Sequence, residues 1–346
     1  MSASLNLRRP DDWHVHLRDG AALAAVVPHT AAQFARAVVM PNLKPPVTTT
    51  ALALAYRERI RAARPAGSDF EPLMTLYLTD RTPPEEIDRA VDSGAVIGAK
   101  LYPAGATTHS DAGVTDIRRI DAVLARMAER GLVLQLHGEV THEHVDVFDR
   151  ESRFIDEVLE PLTVRHPTLR LVFEHITTAA AVRFVRESRV DIAATLTPQH
   201  LLHNRNSLFK GGLRPHYYCL PVLKTEPDRQ ALIDAAISGD PKFFLGTDSA
   251  PHARGDKESA CGCAGIYSAH AALELYAEAF EDVGALHRLE GFASDFGADF
   301  YRLPRNNTQV TLRRESWQAP TEYPLGNKTV VPMRAGESLR WRLVPT

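Results

Sequence analysis

Cysteine is scarce in this chain: three in 346 residues. That is an odd number for a disulfide framework, and a chain of this length buries enough core to need none. The pair Cys261-Gly-Cys263 lacks the two-residue spacer of zinc ribbons, so small residues in a tight loop explain it better than metal binding. Surplus basic charge is missing too. The 40 Lys and Arg stand against 43 Asp and Glu, for a net charge of −3, and no basic block occurs. This argues against a nucleic-acid or membrane-surface partner, both of which need a cationic face. No apolar run is long enough to span a bilayer, and no charged segment followed by an apolar one opens the chain. The expectation is a cytoplasmic protein with reduced thiols and a small-molecule substrate.

What is present is a regular alternation. Apolar, β-branched runs predict strands near Asp12–Leu17, Arg36–Pro41, Pro72–Thr79, Val96–Tyr102, Leu132–His137, Arg170–His175, Asp191–Thr197 and Lys242–Thr247. Amphipathic stretches between them predict helices over Thr50–Ala63, Pro84–Ser93, Thr115–Arg130, Glu151–His166, Thr178–Ser188 and Glu226–Ser238. Strands alternating with helices, each strand followed by a polar loop, describe an α/β (β/α)₈ TIM barrel better than an open sheet. The expectation is one domain, with the barrel over about residues 8–304 and a strand-containing C-terminal extension over about 305–346. Thr197–Lys224, rich in His, Asn, Gly and Pro, reads as a long functional loop.

Polar residues cluster at the C-terminal ends of the predicted strands, where such a barrel keeps its chemistry. His14 and His16 are two apart on a strand, so their imidazoles share a face and can hold one divalent ion. His142-Glu143-His144 is a control: it lies beyond a strand, where alternation fails, and reads as loop or helix-cap chemistry. His137 and His175 each end an apolar run. Singly, each is as readily a buried histidine bonded to backbone; with the first pair, they make four neutral nitrogen donors, two per zinc. Lys100 is the unusual member. A charged lysine would be repelled by two cations, whereas a neutral amine can add carbon dioxide and bridge them as a carbamate. The plainer alternative is a barrel lysine paired with a carboxylate. Asp248 can bind one metal and relay a proton, or simply cap a helix.

Taken together, these segments resemble the amidohydrolase superfamily, and within it the dihydroorotases of the short bacterial type. The likeness runs from Asp11-Asp12-Trp13-His14-Val15-His16-Leu17-Arg18-Asp19, through Met40-Pro41-Asn42-Leu43, Lys100-Leu101-Tyr102-Pro103-Ala104 and Arg214-Pro215-His216. It continues through Cys219–Lys224 and Gly246-Thr247-Asp248-Ser249-Ala250-Pro251-His252 to Cys261–Gly265. The resemblance implies two zinc ions per subunit. His14, His16 and Asp248 would hold one and His137 and His175 the other, with carboxylated Lys100 (N6-carboxylysine) bridging. It also implies that Arg18, Asn42 and His252 hold a substrate carboxylate. Backbone near Leu220 and Ala264 would address ring amides, and Thr107 and Thr108 would sit on a mobile lid. The implied reaction is reversible conversion of N-carbamoyl-L-aspartate to L-dihydroorotate in pyrimidine synthesis, by a bridging hydroxide with Asp248 as proton shuttle, in a homodimer. Two rivals remain. Hydantoinase- or allantoinase-like hydrolases place a β-rich segment before the His-x-His, for which residue 14 leaves no room; a non-catalytic scaffold would have lost ligands that this chain keeps.

Overall fold

The computed structural model describes residues 3–260 and 262–344. Cys261 of the Cys-Gly-Cys pair lies outside the described residues. After strand β1 (Ser4–Arg8), eight parallel strands run β2 (Asp11–Val15), β3 (Arg36–Val39), β4 (Glu71–Tyr77), β5 (Val96–Leu101), β6 (Val133–Leu136), β7 (Leu171–Phe173), β8 (Ile192–Leu196) and β9 (Phe243–Leu245). Their hydrogen-bonded order is their chain order, β2 to β9. A parallel bridge from Val15 to Ser249 brings the first strand to the last. The Asp12 carboxylate clasps the same seam, accepting from Thr247 N at 2.9 Å and Thr247 Oγ1 at 2.6 Å. The fold is a (β/α)₈ barrel.

All eight coincide with predicted strands but stop one or two residues sooner. The residues cut off, among them His16, His137, His175 and the approach to Asp248, have left the ladder. Strand periodicity sees their apolar neighbours, while their own backbone turns into the barrel mouth.

Two of the longer helices escaped the periodicity. Ala21–Gln33 is apolar almost all round and contains Pro28, so it shows neither a polar face nor a clean interior. Ala272–Glu281 is buried from Ala272 to Phe280, with Glu274 and Glu278 among the buried residues. The predicted Glu151–His166 helix is present as Arg150–Phe154, a π-turn over Ile155–Leu159, and Glu160–Arg165. Pro161, which has no backbone N–H to donate, follows the π-turn. The segment Thr197–Lys224 is not a bare loop but carries three short helical pieces, Pro198–Leu202, Arg205–Leu208 and Pro215–Tyr217.

The tail forms β10 (Gln309–Arg313), which pairs antiparallel with both β1 and Arg342–Leu343. A strand thus does precede the His-x-His segment, and it belongs to the same small sheet as the tail. The tail is tied to the helix Ala272–Glu281 by Leu343 N donating to Glu274 Oε1 at 3.0 Å and Arg334 Nη1 to Glu278 Oε2 at 2.9 Å. Among the described residues, no helix is long and apolar enough to cross a membrane.

Strand alternation divides the core. Leu134, Leu136, Phe173, Ala194 and Leu245 pack toward the helices, while Val133, Val172, Ala193 and Phe244 join Trp13 and Tyr301 in a second cluster that floors the barrel. Trp13 is fully buried there, stacked on Tyr301 at 4.7 Å and 6°. Trp13→Ala should therefore destabilise the protein by about 3–5 kcal/mol, read as a fall in the chemical-denaturation midpoint. A loss below about 1 kcal/mol would show that this floor repacks freely.

Candidate active site

Beyond that floor the barrel interior turns polar. The β2–β3 register shifts between Asp12 and Val15, and both His14 and His16 face the mouth. His14 Nδ1 lies 2.8 Å from Glu174 Oε2, which also accepts from Thr195 Oγ1 at 2.6 Å. His16 Nδ1 lies 2.8 Å from Asn42 Oδ1. With Nδ1 assigned as the donor in both rings, each Nε2 presents a lone pair to Asp248 Oδ1, at 3.5 Å from His14 and 3.1 Å from His16. One ligand atom from each of the three buried residues lies within 4.8 Å of the others. Among the described residues, His14 Nε2 has no hydrogen-bond partner. Convergent lone pairs of this kind repel one another and suit a divalent cation, so the donor set fits a metal. Gly246 makes the approach possible, since a Cβ there would sit 2.8 Å from Thr195 Cβ and 3.1 Å from His14 Cβ.

The remaining predicted ligands adjoin this trio. The four imidazoles form a chain, His16–His14–His175–His137, with ring centroids 5.4, 5.0 and 4.9 Å apart. Alternation along β7 would send His175 toward the helices with Leu171 and Phe173; its positive φ of 40° turns it inward instead. Asp248 and Arg18 share this left-handed backbone, at 44° and 60°. Side chains rarely accept this conformation, and it gathers here where the site needs it. His175 Nδ1 has no partner among the described residues, and His137 Nε2 lies 2.8 Å from Glu139 Oε2. Burial first, then the field of Lys100, drives His14 and His175 well below the ordinary histidine range, and burial lowers His16. Neutral imidazoles are what metal ligation requires.

Lys100 is fully buried, and its Nζ has no hydrogen-bond partner among the described residues. The lysine–carboxylate pair that was its plainer explanation is not formed. Burial brings its amine down to about 8, against the opposing pull of Glu174 and Asp248. Burial works against ionisation of Asp248, but its polar and charged neighbours, Lys100 among them, hold that carboxyl below the ordinary carboxylate range.

Outward from the donor set, the chamber is lined by Arg18, Asn42, Thr107, Thr108, Leu220, His252 and Ala264. Arg18 donates from Nε to Pro251 O at 2.8 Å and from Nη2 to His252 Nε2 at 2.9 Å. Burial and the neighbouring guanidinium keep His252 neutral. Ala264 N donates to Thr108 Oγ1 at 3.2 Å and Asn42 Nδ2 to Thr108 O at 3.3 Å, so the threonine loop rests on the site. Beneath it the chamber encloses about 20 Å³, room for roughly one water. A larger cavity of about 920 Å³ on the outer surface, beside the helix Glu160–Arg165, holds no ligating group of three among the described residues. His142 and His144 are exposed and apart from the site, with His142 Nε2 3.5 Å from Glu157 Oε2.

Sequence reasoning missed the residues that support the donors. Glu174 holds His14 and Glu139 holds His137, while Asn42, expected from the sequence only against a substrate carboxylate, also holds His16. Tyr102, quoted only within a motif, stacks on Tyr77 at 5.2 Å with the Lys100 ammonium 5.2 Å from its ring centre. The available signal was proximity in the chain: Glu174 adjoins His175, and Glu139 stands two beyond His137.

A closed α/β barrel with a buried His-His-Asp cluster at the carboxyl ends of its strands defines a hydrolase of the amidohydrolase type, and the amidohydrolase family model matches residues 12–307. A dihydroorotase of Alkalilimnicola ehrlichii is 66% identical over 340 residues, covering 98% of this chain and 99% of the relative. The crystal structure of dihydroorotase from Campylobacter jejuni superposes with a TM-score of 0.91 at 36% identity, covering 99% of this chain and 98% of that one. Dihydroorotase of Saccharomyces cerevisiae, solved in complex with 5-fluoroorotic acid, gives 0.90 at 34% identity and covers 99% of both chains. The chain belongs to the amidohydrolase family, among its dihydroorotases of the short single-domain form, enzymes that act on cyclic amides.

Proposed function

We propose that the protein interconverts N-carbamoyl-L-aspartate and L-dihydroorotate, using two zinc ions. The observation that carries this reading is one chamber that joins a metal-type donor set to an anion clamp: His14, His16 and Asp248 on one side, Arg18 beside His252 on the other. A hydantoin bearing an apolar substituent has no use for that guanidinium, whereas a ring carboxylate accepts its fork and the Asn42 amide. The yeast relative is solved with a pyrimidine carboxylate, 5-fluoroorotic acid, an acid of the shape such a clamp selects.

His14, His16 and Asp248 are assigned to one ion and His137 and His175 to the other, with Lys100 as a carbamate between them. When bound, the ions supply Lewis-acid polarisation of the scissile carbonyl and a water of lowered pKa. The residues do the rest. In ring opening, Asp248 takes the proton of the attacking water and delivers it to the departing ring nitrogen; in ring closure, it returns that proton to the departing water. Arg18, Asn42 and His252 fix the carboxylate, so that the scissile amide meets Asp248 rather than the wall. Backbone groups at Leu220 and Ala264 pair with the ring amides, and the Thr107–Thr108 loop excludes bulk water.

The test is turnover of L-dihydroorotate by the metal-replete protein, with hydantoin and allantoin in parallel. Chelator-sensitive turnover of dihydroorotate alone is the expected result. Preference for an uncharged ring would refute the clamp assigned to Arg18, Asn42 and His252. No turnover of any of the three with metal bound would refute the proposed reaction.

A further inference from the structure

Lys257 ends the short helix Arg254–Lys257, just past His252, and is 3% exposed. Its ammonium donates to three backbone carbonyls: Tyr218 O at 2.8 Å, Cys263 O at 3.0 Å and Gly265 O at 2.6 Å. Three N–H groups meet three acceptors, the full capacity of an ammonium, and among the described residues none of the ion pairs includes it. Burial lowers it to about 8, the cost of keeping a cation in a dry place. A compact tripod suits that arrangement better than the flat fork of an arginine.

The acceptors belong to two chain segments about forty residues apart, one carrying Leu220 and the other Ala264. Three carbonyl oxygens converging on one point repel one another, and the cation holds them together. A direct bond from Gly265 N to Tyr218 O at 3.0 Å runs alongside. The second segment is also pressed against the anion clamp. A Cβ on Gly265, whose φ is +149°, would lie 2.6 Å from Ala250 O and 2.9 Å from His252 Cδ2. Ala264 in turn carries the threonine loop through Thr108 Oγ1.

We propose that Lys257 is a positioning residue for substrate binding: its ammonium sets the spacing of the Leu220 and Ala264 backbone that grips the ring, without touching the ring itself. The inference rests on the assignment of those two residues under Proposed function. It separates ring recognition, which Lys257 governs, from the metal ligands and Asp248, which it does not contact.

The experiment compares the parent enzyme with Lys257→Met and Lys257→Arg. The measurements are kcat and KM for dihydroorotate, Kd for orotate by direct titration, and metal per chain. For Lys257→Met, KM and the orotate Kd should rise by about tenfold or more while kcat stays within about threefold and metal content holds. Lys257→Arg keeps a donor of the wrong shape and should show a smaller rise of the same kind; it decides the matter if the Met variant does not fold. Unchanged KM and orotate Kd would overturn the proposal. So would a joint fall of kcat and metal content, which would mark Lys257 as a support of the metal site. If the parent turns over no dihydroorotate, the proposed reaction fails, and Lys257 is judged on orotate affinity alone.

Discussion

Asp248→Asn should leave the barrel folded and lower kcat for dihydroorotate by about 10³-fold or more. The two side chains have the same shape, and the backbone survives the change. Asp248 N donates to His14 O at 2.8 Å whatever the side chain carries, and asparagine tolerates the left-handed φ of 44°. What is lost is the capacity to take up and release a proton, together with the anionic charge facing His14 and His16. Thermal unfolding and steady-state kinetics on one preparation check both halves. Activity within tenfold of the parent would end the assignment of Asp248 as proton shuttle.

Lys100→Ala should lower the metal content and cut turnover by at least about 100-fold, the scale on which even outer supports of a metal site act. The fold should tolerate it, because the Nζ has no hydrogen-bond partner among the described residues to leave behind. The informative arm is rescue. A short carboxylate such as acetate or propionate, diffusing into the space vacated by the side chain, should restore part of both metal binding and activity by standing in for the carbamate. Metal content equal to the parent's without any carboxylate would refute the bridging role. Metal analysis and kinetics across an acetate series measure it.

The two carboxylates behind the donors mark where reading the chain stopped short. His14 and His16 were legible because i and i+2 on a strand share a face. Nothing in the spacing of His14 and Glu174, separated by 160 positions, reveals that they lie 2.8 Å apart. His175 is more instructive, because local periodicity assigns it to the wrong face; a positive φ, which sequence patterns do not encode for a non-glycine residue, corrects that assignment. The helix Ala21–Gln33 failed for the opposite reason. A helix whose exposed positions are alanines, Ala21, Ala24 and Ala32, has no polar stripe to betray it, and Pro28 inside it reads as a break.

By itself the sequence determined the barrel, the order of its strands and the residue types at their carboxyl ends. Those follow from local chemistry: β-branched runs, amphipathic stretches and polar residues where each strand stops. The tertiary structure alone decided which of those ends meet and how each imidazole is turned. It also decided that the Lys100 ammonium has no hydrogen-bond partner among the described residues, that the tail closes on Ser4–Arg8, and that Lys257 binds two distant segments together. Contacts of that kind are set by how the closed barrel brings remote loops into register. No window along the chain is long enough to contain both partners.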